Sequence, residues 1–386
     1  MFPDSGWEWT DNARLAWDTF GGVPTTGIPS RGCNLMDIPL LEEFAGVQAG
    51  DYERDPENVY LAFQRNTGAC CIDQFIPRNP LTMTRQGYGA EEELGATTGA
   101  EHVELDGIVI DSPEAVVEHM ETVVFPGLRA AAGACGQDDD TAVRVLIDAE
   151  CDVQRLFGPV ILKSPYGRGF NNFPCLRYGA YGYVNYFMAY ALYPEVMETD
   201  FSLQADVAAK RNAIGAQAIL EGGLPRAIRL DHDMADSRST LVDLASLDRI
   251  WFPHFARSIR PYVDAGIRLL WHCDGNLMGM VPRLLEVGLG GFQGFQYEDG
   301  MDYEAICRMT DRDGNPLMIQ AGVSVTTTLP RGTTSDVVDQ LKWLVANGPK
   351  QGLFLGASSS IAPGTKPDNV RALFEGRKYY REHGRG

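Results

Sequence analysis

From about residue 140 onward, short apolar runs alternate with longer segments whose apolar positions recur at helical spacing. The runs are AVRVLIDAE (142–150), PVILKSP (159–165), RAIRLDHD (226–233), IRLLWHCD (267–274), GFQGFQYED (291–299), PLMIQAG (316–322) and GLFLGAS (352–358). Each has strand length, and near-continuous apolar runs suit parallel strands covered on both faces. An earlier run, CCIDQFIP (70–77), brings the count to eight, the number a closed (β/α)₈ TIM barrel needs. The expectation is one α/β barrel domain over residues 1–386, with its strands between about 70 and 358. Residues 1–65 read as an N-terminal extension, and long loops are expected over the C-terminal face.

The intervening segments read as helices. Segment 240–265 ends at Gly266 and segment 277–287 at Gly288, both natural C-terminal stops. Segment 335–347 follows Thr333 and Thr334, suitable N-caps, and 367–383 supplies the last helix. The insert 166–225 reads as a lid-like loop followed by one or two helices. Residues 78–140 are less regular, and the acidic stretch GAEEELGATTGAEHVELD reads as an excursion over the barrel mouth. There is no internal repeat, low-complexity tract or linker that would mark a second domain.

Composition narrows the function more than the fold. Hydrophobic residues at 44% and charged residues at 22% leave ample material for a core. The formal net charge of −19 repels phosphate backbones and anionic lipid, so neither nucleic acid nor a membrane surface is an expected partner. The start, MFPDSGWEWTDNARLAWDTF, lacks the pattern of a signal peptide, and no apolar stretch reaches spanning length. Eight scattered cysteines without a CxxC pair suit reduced thiols and a cytoplasmic location.

In barrels of this type, functional groups come from the C-terminal ends of strands. Those ends offer Asp73; Asp148 and Glu150; Asp231, His232 and Asp233; His272, Cys273 and Asp274; Glu298 and Asp299; Gln320; and Ser358, Ser359 and Ser360. Clustered ionisable groups cost desolvation unless they pair, bind metal or move protons. A structural salt-bridge network is the alternative. Strand alternation puts His272 and Asp274 on one face with Cys273 toward the helices, and Asp231 and Asp233 on one face with His232 opposed. Asp231, Asp233, His272 and Asp274 are therefore the candidate catalytic residues, with Asp73 and Gln320 as candidate substrate contacts. The aromatic-rich stretch YGRGFNNFPCLRYGAYGYVNYF (166–187) suits a flat ring and nominates Tyr166, Arg168 and Tyr181 as further contacts. Ordinary packing against the barrel mouth is the alternative for that stretch.

At these residues the chain resembles the uroporphyrinogen decarboxylase superfamily, and more closely its branch of uroporphyrinogen-decarboxylase-like, corrinoid-linked methyltransferases. The resemblance rests on LDHDMA (230–235), WFPHF (251–255), GIRLLWHCDGNL (266–277), EDGMDYEAI (298–306), LPRGTTSDVV (329–338) and ASSSIAPGTKPDNVRALFEGRKYY (357–380). It covers most of residues 225–380 and implies a (β/α)₈ barrel. The N-terminal arginine-rich motif with which the porphyrinogen decarboxylases grip substrate carboxylates has no counterpart, so haem-pathway decarboxylation is not expected.

The corrinoid-linked methyltransferases hold zinc with a His-x-Cys pair and a later Cys. Carried onto this chain, the His is His272, the first Cys position is Asp274, and the later Cys falls near Ser359. A related zinc site in cobalamin-independent methionine synthase adds a Glu, matched here by Glu298. The resemblance thus implies a Zn²⁺ site at His272, Asp274 and Glu298, without the thiolates of the relatives. Such a set is harder and more Lewis acidic than a thiolate site. It suits removal of a methyl group from a small methoxylated, aromatic substrate to the cobalt(I) of a corrinoid carried by a partner protein. Without metal, Asp231 or Asp233 could protonate the departing oxygen. A homodimer is a family-level expectation. Non-porphyrin decarboxylation or metal-assisted hydrolysis on the same barrel is the second reading. A non-catalytic tetrapyrrole carrier would need mostly apolar walls and fits less well.

Overall fold

The computed structural model describes residues 7–78, 103–135, 139–167 and 169–385. The strands among the described residues are β1 Cys71–Ile72, β2 Glu104–Leu105, β3 Ile108–Val109, β4 Leu162–Lys163, β5 Ala227–Asp231, β6 Arg268–His272, β7 Gly291–Gln293, β8 Met318–Val323 and β9 Leu353–Ala357. Strands β5 to β9 form one parallel sheet in sequential order, and β1 pairs in parallel with β4. Strands β2 and β3 are a separate antiparallel hairpin. The architecture is mixed α/β, with helices returning the chain between successive parallel strands.

The N-terminal segment is not a mere extension. Ser30 bridges in parallel to Leu355 of β9, and Arg31 bridges in parallel to Cys71 of β1. Residues 30–31 therefore join the two parallel sheets into one hydrogen-bonded order, β5-β6-β7-β8-β9-(30–31)-β1-β4. Among the described residues, no strand pairing joins β4 to β5.

The run 142–150, read above as a strand, lies inside the helix Asp139–Phe157. Its buried positions are Val143, Glu150, Gln154 and Phe157, a helical spacing, while Val145 is 59% exposed. A short apolar run does not by itself separate a strand from one turn-set of an amphipathic helix, and here the continuation to Phe157 decides. Asp148 is thereby an exposed helical residue. Glu150 is buried on the same helix and accepts a 2.6 Å hydrogen bond from Lys163 Nζ of β4. Neither stands at a strand end.

The expected helices otherwise form close to their sequence signals. Segment 240–265 is two helices, Leu244–Ile250 and Phe252–Asp264, and the chain turns at Gly266 with φ 66°. Helix Val281–Val287 stops at Gly288, and Thr334–Asn347 opens with a capping box between Thr333 and Asp336. The insert contains helices Tyr178–Tyr181, Tyr183–Leu192 and Pro194–Gly222, the last packed against Phe252–Asp264 and Asp139–Phe157. No helix among the described residues is long and apolar enough to cross a membrane.

One packing detail fixes the site. Trp271 of β6 is buried against Trp251, Phe255 and Phe173, with ring centroids 5.3–6.0 Å away. Burying a large apolar side chain contributes about 1.5–3 kcal/mol, so this cluster holds β6 in register against its helices. With Trp271 committed to the helical side, the neighbouring His272 must project from the opposite face.

Candidate active site

Asp231 of β5 pairs in register with His272 of β6, His272 with Gln293 of β7, and Gln293 with Gln320 of β8. Register partners in a parallel sheet project to the same face, so four polar side chains line one row. The row is buried or nearly so at His272, Gln293 and Gln320.

Gln293 orients the imidazole. Its backbone carbonyl lies 3.2 Å from His272 Nδ1. With the side-chain amide turned to satisfy all its neighbours, its NH₂ donates to Nδ1 at 2.7 Å and its oxygen accepts from Gly294 N and Arg31 Nη1. The carbonyl contact favours a proton on Nδ1 and a free lone pair on Nε2, whereas the amide contact favours the reverse tautomer. In either state Nε2 faces carboxylates, 3.9 Å from Asp231 Oδ1 and 4.0 Å from Asp274 Oδ1. Gly294, at φ 74°, allows this approach: a Cβ there would sit 2.5 Å from Nδ1.

The loops after β5 and β6 are stitched together above the imidazole. Asp274 N donates to Asp233 Oδ1 at 2.9 Å, and Asn276 N donates to the Asp236 carbonyl at 2.7 Å. Gly275, at φ 89°, permits that contact, because a Cβ would meet Asp236 O at 2.5 Å. Ser359 Oγ lies 3.5 Å from Asp274 Oδ2. One donor atom each from Asp233, His272 and Asp274 lies within 4.8 Å of the others, an O/O/N set that fits a divalent cation such as zinc. Glu298 is not in that group; its carboxylate accepts a hydrogen bond from Ser324 Oγ at 3.0 Å.

Beneath the imidazole lies a second charged layer. Arg229, 4% exposed, donates from Nε to Asp73 Oδ2 and from Nη1 to Asp231 Oδ2, both at 2.6 Å. Tyr166 stacks on the guanidinium at 4.6 Å and donates its hydroxyl to the same Asp231 oxygen at 3.0 Å, while Gln74 donates to that hydroxyl. Burial would raise the Asp231 carboxyl, but His272 and Arg229 outweigh it and hold the carboxyl below its ordinary value. Asp274 behaves oppositely: burial, reinforced by the Asp233 and Asp231 carboxylates, lifts it despite the pull of His272. Two carboxyls flanking one imidazole are thus driven apart in acidity.

The structure sorts the sequence candidates. Asp73, Tyr166, Asp231, Asp233, His272 and Asp274 converge on one locality, and the register places Gln320 on the same face. Tyr181 does not join them: it is buried in the insert, stacked on Tyr186, with its hydroxyl 2.9 Å from His119 Nδ1. Arg168 lies outside the described residues. His232 turns away, stacks on Tyr178 and accepts a hydrogen bond from Leu176 N at 2.9 Å; burial pushes it down to about 4. Cys273 is buried, its sulfur accepting from Met234 N. Arg31, Arg229 and Gln293 escaped the sequence reading. Alternation with Asp231 could have found Arg229, whereas nothing local marks Arg31.

No protein-family model matches the chain, and no curated protein does. Among solved structures, a methyltransferase from Methanosarcina mazei superposes with a TM-score of 0.57 over 97% of this chain and 99% of that one, at 16% identity. The two share a fold across their whole lengths.

Proposed function

We propose that the protein is a methyltransferase that takes a methyl group from a small methoxylated, aromatic substrate and passes it to the cobalt(I) of a corrinoid on a partner protein. The observation that carries this reading is the imidazole of His272 set between Asp231 and Asp274, with Asp233 completing an O/O/N donor group. The resemblance in sequence and the fold shared with a methyltransferase support it. We read the hydrogen-bonded order of eight parallel segments as a (β/α)₈ barrel with this group at its C-terminal mouth.

Asp233, His272 and Asp274 would hold the metal, with Ser359 beside Asp274. A divalent ion there supplies Lewis acidity that polarises an ether oxygen and makes it a better leaving group. The protein's own part is orientation. Gln293 fixes the imidazole, and Asp73 with Arg229 fixes Asp231. Tyr166, anchored to Asp231, forms a flat wall. As the methyl leaves oxygen for cobalt, the oxygen takes a proton. Asp231, held ionised by the Arg229 guanidinium and the Tyr166 hydroxyl, is a poor source of that proton; in a metal-free site the raised Asp274 carboxyl is the better one.

The test is product analysis. Anaerobic incubation with a methoxylated aromatic and a reduced corrinoid protein is expected to yield the free phenol in step with methyl-cobalt. Release of carbon dioxide from an aromatic acid, with the methoxy group intact, would favour decarboxylation on the same scaffold instead.

A further inference from the structure

Two buried hydrogen-bonding atoms beside the imidazole have no partner among the described residues, Gln320 Oε1 and Arg229 Nη2. Both side chains are more than nine-tenths buried, Gln320 at 6% exposed and Arg229 at 4%. Charge is not what they lack. Asp73 and Asp231 stand against Arg229 and Arg31, so the layer is balanced as it is. What is missing is one neutral donor for Gln320 and one acceptor for Arg229. Buried polar atoms are ordinarily paired, because leaving one unpaired costs its full desolvation.

Gln320 finds no donor along its own row of the sheet. Its register neighbour on β7 is Gln293, whose amide is engaged by His272, Gly294 and Arg31. Its neighbour on β9 is Phe354, which has no polar side-chain atom and packs on Phe20 with ring centroids 4.7 Å apart. His272 lies in the same row on the same face, two strands from Gln320. Adjacent strands are spaced so that the two backbones stand roughly 10 Å apart, within reach of one small molecule touching both side chains.

We propose that Gln320 is a specificity residue that accepts a hydrogen bond from a hydroxyl of the substrate, so that the site takes methoxylated phenols rather than ethers with no free hydroxyl. A hydroxyl both donates and accepts, so it answers Gln320 Oε1 and offers an oxygen to the free N–H of Arg229. A carboxylate could answer only the second. A phenol ionises at about pH 10, as tyrosine does, and is therefore a donor at neutral pH. A site built around a substrate hydroxyl discriminates against the analogue lacking it, because its own polar atoms then stay unpaired. Each such lost bond is worth roughly tenfold or more in affinity.

This inference rests on the methyl-transfer reading for the choice of methoxylated aromatics, but its test does not use methyl transfer. Isothermal titration calorimetry of the full chain compares 2-, 3- and 4-methoxyphenol, each with the dimethoxybenzene in which its hydroxyl is methylated. The expected result is that at least one methoxyphenol binds tenfold or more tightly than its capped counterpart. Gln320→Met, close in shape but without the acceptor, should erase that preference by weakening the phenol alone. Equal binding within all three pairs, as when a bound water alone meets Gln320, would overturn the proposal. So would undetectable binding of every methoxyphenol, or a preference unmoved by Gln320→Met. The paired comparison on the unaltered chain decides even where the variant misfolds. A protein that binds a methoxyphenol selectively yet methylates no cobalt sinks the reaction and spares the subsite. One that demethylates dimethoxybenzenes as readily as methoxyphenols does the reverse.

Discussion

Asp231 Oδ1 lies 3.9 Å from His272 Nε2, and the two residues are register partners at the ends of adjacent parallel strands. Ladder pairing sets this relationship, so the sheet itself delivers a carboxylate beside an imidazole without help from any mobile loop. The other Asp231 oxygen is held by Arg229 and Tyr166. On the proposed function, the reacting groups depend on residues one layer below them.

Arg229 is the keystone of that layer. Arg229→Met leaves Asp73 and Asp231 without their shared cation, and removing one partner of a buried pair costs about 3–5 kcal/mol. Chemical denaturation is expected to show that loss. Asp73→Asn in the same background should recover part of it, because one of the stranded charges is then gone.

Gly294 separates fit from stability. Gly294→Ala places a methyl group against the imidazole at a backbone position of positive φ. The strain is worth about 1 kcal/mol, whereas a displaced imidazole costs roughly 100-fold in turnover. Activity should therefore fall far more than the unfolding midpoint. A variant that loses both in proportion would mean the glycine serves the fold alone.

The metal-ligand set can be read by substitution. Asp233→Asn and His272→Ala are expected to abolish stoichiometric divalent metal in the purified protein, while Glu298→Gln retains it. Elemental analysis distinguishes these outcomes directly. Metal lost with Glu298→Gln and kept with Asp233→Asn would restore the ligand set drawn from the family resemblance.

His232 gives a pH dependence of defined sign. Its folded-state value of about 4 lies below the ordinary 6.5, so between those values the unfolded chain binds the extra proton. Its contribution to stability is complete above pH 6.5 and is lost as pH falls toward 4, by up to about 3 kcal/mol. His232→Gln should flatten this limb of the stability profile, measured by thermal unfolding from pH 7 to pH 4.

Much of this was legible in the chain. The β5 and β6 runs carry their polar residues at the carboxyl ends, and simple alternation separated His272 and Asp274 from Cys273. What escaped has physical causes. The run 142–150 is apolar enough for a strand, and only its continuation to Phe157 reveals the helix. Ser30 and Arg31 make single bridges rather than a ladder, so no alternating pattern announces them. Tyr181 looked like a ring-binding residue because aromatic composition does not say which way a side chain points. Asp233 displaced Glu298 from the donor group because the two loops are tied by the Asp274–Asp233 hydrogen bond, a long-range contact that spacing does not encode.

On the proposed function, the imidazole at the end of β6 serves methyl transfer to a corrinoid. The most direct measurement is the anaerobic absorbance spectrum of a cobalt(I) corrinoid protein mixed with this protein and 4-methoxyphenol. Conversion of the cobalt(I) band to that of methyl-cobalt is expected with the unaltered chain, and loss of that conversion with His272→Ala. An unchanged cobalt(I) spectrum across methoxylated substrates, or a methylation rate that ignores His272→Ala, would contradict it.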